Sequence, residues 1–155
     1  MIDVKSEMIT VAGVLDEARI DYALCGGLAM AVHGFPRATQ DIDFIVCADD
    51  LAAIRTAIKH LGFKLNAGVM TFGAGTDDEV KMWRVSRVID TELASIDFIL
   101  VNRFLEDVWN ERVRFDFGDA RVNVVSVAGL RKMKRAAGRS QDLADLENLN
   151  DPDIK

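Results

Sequence analysis

The sequence predicts an α+β fold, a mixed central β-sheet flanked by helices. Three observations predict it. Apolar residues recur at helical spacing near the start and again after residue 126. The middle of the chain carries apolar or alternating runs of strand length, and glycine-containing breaks separate these segments. With 155 residues, half of them apolar and 28% charged, the chain can bury one core but not two with separate tasks, so residues 1–155 are expected to form a single domain.

Met8, Val11, Ala12, Leu15 and Ala18 fall three and four residues apart, which predicts a helix over about 4–19 with one face on the sheet. Tyr22 to Cys25 reads as a short strand running into Gly26-Gly27. A helix can restart from Leu28 to His33, before the Gly34-Phe35-Pro36 break. Asp41 to Val46 first alternates acidic and apolar residues and then becomes wholly apolar, as in a strand whose carboxylates lie near an open end. A helix from about Asp49 to Leu61 is ended by Gly62. Residues 63–73, 80–88 and 93–101 read as further strands, separated by the 73–78 turn and the Asp90 region. The Gly118-Asp119 pair predicts a hairpin within 112–125. Ser126 can cap a helix that Gly138 stops, and Ser140 can cap another carrying Leu143, Leu146 and Leu149, so two helices close the chain.

Composition narrows the function classes. No apolar run approaches the roughly 20 residues of a membrane span, and the charged start does not resemble a secretory signal, so no membrane partner is expected and the cytoplasm is the expected compartment. Cys25 and Cys47 are expected as buried free thiols. His33 and His60 are the only histidines, which leaves no zinc-ligand cluster. A net charge of −6 argues against indiscriminate nucleic-acid binding. One local exception is a run holding Arg131, Lys132, Lys134, Arg135 and Arg139, with no acidic residue between Ser126 and Gln141.

Asp41-Ile42-Asp43 would place two carboxylates on one face of a strand. Five acid pairs at this spacing occur, about what chance gives at this abundance, so the pair alone means little. Its context means more. Ile42-Asp43-Phe44-Ile45-Val46 is nearly repeated as Ile96-Asp97-Phe98-Ile99-Leu100, each putting one carboxylate into an apolar strand. Such a group must find a partner, shift its pKa or bind a cation. Either Asp41, Asp43 and Asp97 surround a common hard cation, Mg²⁺ or Mn²⁺, or each sits at a solvated strand end or pairs with an arginine. Gly26-Gly27, the only Gly-Gly in the sequence, follows a strand and opens a helix, where backbone N–H groups can approach phosphate; an ordinary tight turn is the alternative. His33 reads as a helix-end residue, and Met82-Trp83 and Trp109 either stack a base or belong to the core.

Gly26-Gly27, thirteen intervening residues, Asp41-Ile42-Asp43-Phe44 and a third acid on a later strand resemble the polymerase-β-type nucleotidyltransferase superfamily. The stretches 25–34 and 37–43, and the tail Lys134-Arg135-Ala136-Ala137-Gly138-Arg139-Ser140-Gln141-Asp142-Leu143-Ala144-Asp145, are similar to its small bacterial AbiEii-like toxin–antitoxin group. Gly27 departs from the Ser of many members, leaving only backbone donors there. The resemblance implies transfer of a nucleoside monophosphate from NTP to a hydroxyl of RNA, such as a tRNA end, or of protein. It also implies Mg²⁺ or Mn²⁺ on Asp41, Asp43 and Asp97 as the catalytic acids, and a cognate antitoxin or toxin partner. Nucleotide contacts would come from Gly26, Gly27, Arg37, Thr39, Lys134, Arg135 and Arg139, with Asp142 and Asp145 orienting these cations or merely favouring the helix start. Alternatives are an aminoglycoside or lincosamide acceptor, or a silent binding module that kept the fold.

Overall fold

The chain enters α1 (Val4–Glu17) through Asp3, whose carboxylate accepts a hydrogen bond from the Ser6 amide at 3.2 Å, a side-chain cap for an otherwise unpaired donor. Met8, Val11, Ala12 and Leu15 are its buried stripe; Ala18 lies just beyond the helix and is exposed. In the computed structural model, which describes residues 2–150, there follow β1 (Ala23–Cys25), α2 (Gly26–Val32), β2 (Ile42–Val46), α3 (Leu51–Ile58), β3 (Leu65–Phe72), β4 (Val80–Ile89) and β5 (Glu92–Leu100). Then come α4 (Glu106–Asn110), β6 (Val113–Phe117), β7 (Ala120–Val124), α5 (Val127–Ala137) and α6 (Ser140–Asn148).

Among the described residues seven strands form one mixed sheet in the order β3-β4-β5-β2-β1-β7-β6, the expected α+β architecture with two closing helices. β2 runs parallel to β5, and β1 parallel to β7; the other neighbours are antiparallel. The near-repeat has a direct spatial meaning. Ile42 to Val46 pairs residue for residue with Ile96 to Leu100, so like lies beside like.

Two adjacent rows cross this sheet. One runs Leu24, Phe44, Phe98, Trp83 and is wholly apolar; Phe44 stacks on Phe98 at 5.9 Å and Phe98 on Trp83 at 5.5 Å, with Tyr22 edge-on to Phe44 at 5.4 Å. Each such ring contributes about 1.5–3 kcal/mol by leaving water. The next row, displaced by one residue and therefore on the other face, runs Cys25, Asp43, Asp97, Arg84. The aromatic row fixes the register, and the register lines up the charged row.

The structure departs from expectation in several places. The predicted 49–61 helix is α3 between 3₁₀ turns at Ala48–Asp50 and Lys59–Leu61. The short α4 has too few residues to show a helical period and was not expected. Arg139, not Ser140, is the N-cap of α6, because the Asp142 carboxylate reaches back to the Arg139 amide at 3.1 Å. Leu143 is exposed while Leu146 and Leu149 are buried. Both cysteines are free, but only Cys25 is buried; Cys47 is half-buried. Trp83 is core, and the half-buried Trp109 carries the Arg112 guanidinium 4.1 Å from its ring centre. His33 caps the end of α2, its Nε2 donating to the Val125 carbonyl at 2.7 Å. No helix among the described residues is long and apolar enough to cross a membrane.

Candidate active site

Parallel pairing of β2 with β5 sets Asp43 beside Asp97 on one face. Asp97 is 5% exposed, and Arg84, its cross-strand partner on β4, grips both of its oxygens: Nε donates to Oδ1 at 2.7 Å and Nη2 to Oδ2 at 2.8 Å. Asp97 thus has the arginine partner that was one of the two expectations for a strand carboxylate. Asp43 has none. Among the described residues no side chain donates a hydrogen bond to it, and its pKa is pushed from 3.8 to about 7, first by burial and then by the charges of Asp97 and Asp41. Arg139 and Lys134 act on it in the opposite direction, too weakly to prevail. Asp41 precedes β2 and is exposed, so the three carboxylates form an open group, and no three acid, histidine or cysteine side chains among the described residues are drawn into metal-ligand geometry.

The glycine turn is fitted to the carboxylate. Gly26 has φ +70°, and a Cβ there would stand 2.2 Å from Asp43 Oδ2, so both its backbone conformation and its neighbour require glycine. At Gly27 a Cβ would meet Thr39 Cβ and Oγ1, each at 2.9 Å, and Arg37 Nη1 at 3.1 Å. The volume a serine side chain would need at position 27 is therefore already occupied by Thr39, whose hydroxyl lies at the turn.

The predicted cations occupy a second network, one the sequence reading did not anticipate in full. Lys134 is 4% exposed; its Nζ lies 2.7 Å from Asp145 Oδ2 and 3.8 Å from Asp142 Oδ1. Arg37 donates to the same Asp145 through Nε at 2.7 Å and Nη2 at 2.9 Å, and Gln141 Nε2 adds a bond at 3.0 Å. Burial would raise the pKa of Asp145, but the bonds from Arg37 and Lys134 outweigh it and hold the carboxyl below its ordinary value. Arg139 binds Asp142 at 2.7 Å. Asp142 and Asp145 are 3% and 0% exposed and orient cations, Asp142 in addition to capping the start of α6. Arg131 and Lys132 of the basic run are engaged as well: Arg131 donates to the Leu149 carbonyl, and Lys132 to the Phe104 carbonyl and Asp107.

Asp43 and Asp97 set hard oxygen donors side by side, the donor chemistry that Mg²⁺ or Mn²⁺ selects, with Asp43 unpaired and Asp97 held by Arg84. A hollow of about 440 Å³ lies elsewhere, lined by residues 2–5, Leu28 and the Arg37–Thr39 loop, and does not include the acid row. Arg84 was missed as a site residue, although a lone arginine inside the apolar stretch 82–85 needs a partner as much as the buried acids do.

Comparison with known proteins identifies the fold and the family. No curated protein sequence matches the chain. Among solved structures it is similar to TM1012 of Thermotoga maritima, assigned as a nucleotidyltransferase (14% identity, 96% of this chain and 94% of that one, TM-score 0.64). It is likewise similar to the lincosamide antibiotic adenylyltransferase LnuA bound to lincomycin (15% identity, 94% and 96%, TM-score 0.63). The nucleotidyltransferase toxin MenT4 of Mycobacterium tuberculosis H37Rv aligns over 98% of this chain and 59% of its own length at 16% identity and TM-score 0.51. At these identities the likeness establishes the nucleotidyltransferase fold. Residues 11–149 match the family described as "Nucleotidyl transferase AbiEii toxin, Type IV TA system", and the chain therefore belongs to the AbiEii nucleotidyltransferases.

Proposed function

We propose that residues 1–155 act as one cytoplasmic domain that moves a nucleoside monophosphate from NTP to a hydroxyl of RNA, such as a tRNA end, or of protein, with Mg²⁺ or Mn²⁺, in a toxin–antitoxin pair whose cognate antitoxin restrains it. The single observation that carries this reading is the alignment of Asp43 with Asp97 under the Gly26 turn. Asp41, Asp43 and Asp97 would hold the divalent cation, which supplies Lewis-acid stabilisation of phosphate charge and activation of the acceptor hydroxyl. Gly26 and Gly27 offer backbone to the phosphates, and Thr39 a hydroxyl beside them. Lys134, anchored by Asp145, and Arg139, anchored by Asp142, keep positive charge near Asp43 without being free to wander. Arg37 contacts the same turn, with Arg135 as a further candidate for phosphate or acceptor.

A second acceptor class, a small antibiotic, is favoured by the full-length likeness to LnuA. Titration with Mg²⁺ and labelled NTPs tests the reaction: metal-dependent nucleotide binding and pyrophosphate release are expected, and absence of both overturns it. Incubation with total RNA, candidate partner protein, lincosamides and aminoglycosides then identifies the acceptor by which of them becomes labelled.

A further inference from the structure

Arg84 lies outside every role given above, yet it makes the tightest bonds in the acid row. Its fork uses one acceptor direction on each oxygen of Asp97, the carboxylate that a divalent cation would also need. The pair is asymmetric. The Asp97 side chain is 6% exposed and fixed in mid-strand, whereas the Arg84 side chain is 40% exposed. The carboxylate cannot leave its place; the guanidinium can, because water is ready to receive it. Lys134 and its partners Asp142 and Asp145, by contrast, are each 5% exposed or less, so neither that lysine nor the acids that hold it can turn out to water as readily. A guanidinium and a divalent ion a few ångströms apart on one carboxylate also repel each other, so simultaneous full occupation is unfavourable.

Resting on the metal-dependent reading proposed above, we propose that Arg84 is a built-in counter-ion for Asp97 that a divalent cation must displace, so that arginine and metal compete for the same two oxygens. In the metal-free protein Arg84 neutralises the third carboxylate; on metal binding it swings outward into solvent. A purely structural cross-strand pair would instead hold Asp97 in place for the metal, and its loss would weaken metal binding.

Mn²⁺ titration of the full chain, stripped of metal and without nucleotide, followed by electron paramagnetic resonance of the free ion, separates the two. Arg84→Gln is expected to bind Mn²⁺ about tenfold more tightly than the wild type, equivalent to about 1.4 kcal/mol, and to show a larger Mn²⁺-induced rise in Tm. Arg84→Lys, which keeps the charge but not the fork, is expected to fall between them, and it decides the matter if the glutamine variant does not fold. In an Asp97→Asn background the Arg84→Gln effect should vanish. Equal or weaker Mn²⁺ affinity in both Arg84 variants, with binding intact in the wild type, overturns the competition while leaving the metal-dependent reading standing. No Mn²⁺ binding by any of the proteins, with or without NTP, overturns both.

Discussion

Asp43→Asn should end transfer and, in the absence of metal, make the protein more stable. The carboxyl is raised from 3.8 to about 7, a shift that corresponds to about 4 kcal/mol in favour of the neutral form. Water at the half-buried group and relaxation around it reduce the realised cost, so a gain of about 2 kcal/mol is expected at pH 8. The sign follows from linkage. The folded-state pKa lies above the unfolded one, so the folded protein holds its proton longer. The cost is absent below the unfolded value, grows as pH rises toward 7, and is complete above it. Asparagine stays neutral throughout and keeps the shape packed against Gly26. Its advantage should therefore widen between pH 5 and pH 8 and then level off, reaching roughly 4–8 °C in Tm for a domain of this size. Thermal unfolding in EDTA at four pH values measures it, and Mn²⁺ should raise the Tm of the wild type but not of the variant. An advantage that is absent at pH 8, or flat with pH, would refute the view that unpaired charge strains this row.

Other substitutions probe the surroundings. Gly26→Ala puts a Cβ onto the Asp43 carboxylate at positive φ; a loss of about 2 kcal/mol in urea unfolding and of metal-dependent NTP binding is expected. Gly27→Ser should cost about 1–2 kcal/mol through the clash with Thr39, and adding Thr39→Ala should recover most of it, a coupling that a double-mutant cycle reads. Lys134→Ala removes one of the cations on the fully buried Asp145, so unfolding free energy should fall by about 3 kcal/mol and the KM for NTP should rise. Phe98→Ala opens the aromatic row and should destabilise by about 3–5 kcal/mol, measured by calorimetry.

The elements that were legible in the sequence are those whose period is long enough to read: α1, the strands of the sheet and α5 with its Ser126 cap and Gly138 stop. The pairing of β2 with β5 was legible too, through the repeat of an acid inside the same apolar frame. Asp97 and Arg84 could also have been joined. The β4–β5 hairpin turns through Asp90 and Thr91, with Ile89 opposite Glu92, and counting back from that turn places Arg84 opposite Asp97. By contrast, nothing in the spacing of Arg37, Lys134 and Asp145 reveals that one buried carboxylate gathers cations from 108 residues away. Long-range ion pairing leaves no periodic trace, and only the fold supplies it. The basic run shows the same limit: its charges are plain in the sequence, but the carbonyls and acids that engage Arg131, Lys132 and Lys134 are not.

That contact with Asp145 gives α6 authority over the start of the chain. A ribosome delivers Gly26, Arg37 and the acid strand long before it delivers Asp145, and a nascent polypeptide halted before that residue lacks the anchor for both Arg37 and Lys134. The corner proposed as the active site is thus completed only by nearly the last described stretch of synthesis, so N-terminal fragments retain its acids yet lack the scaffold that holds the neighbouring cations.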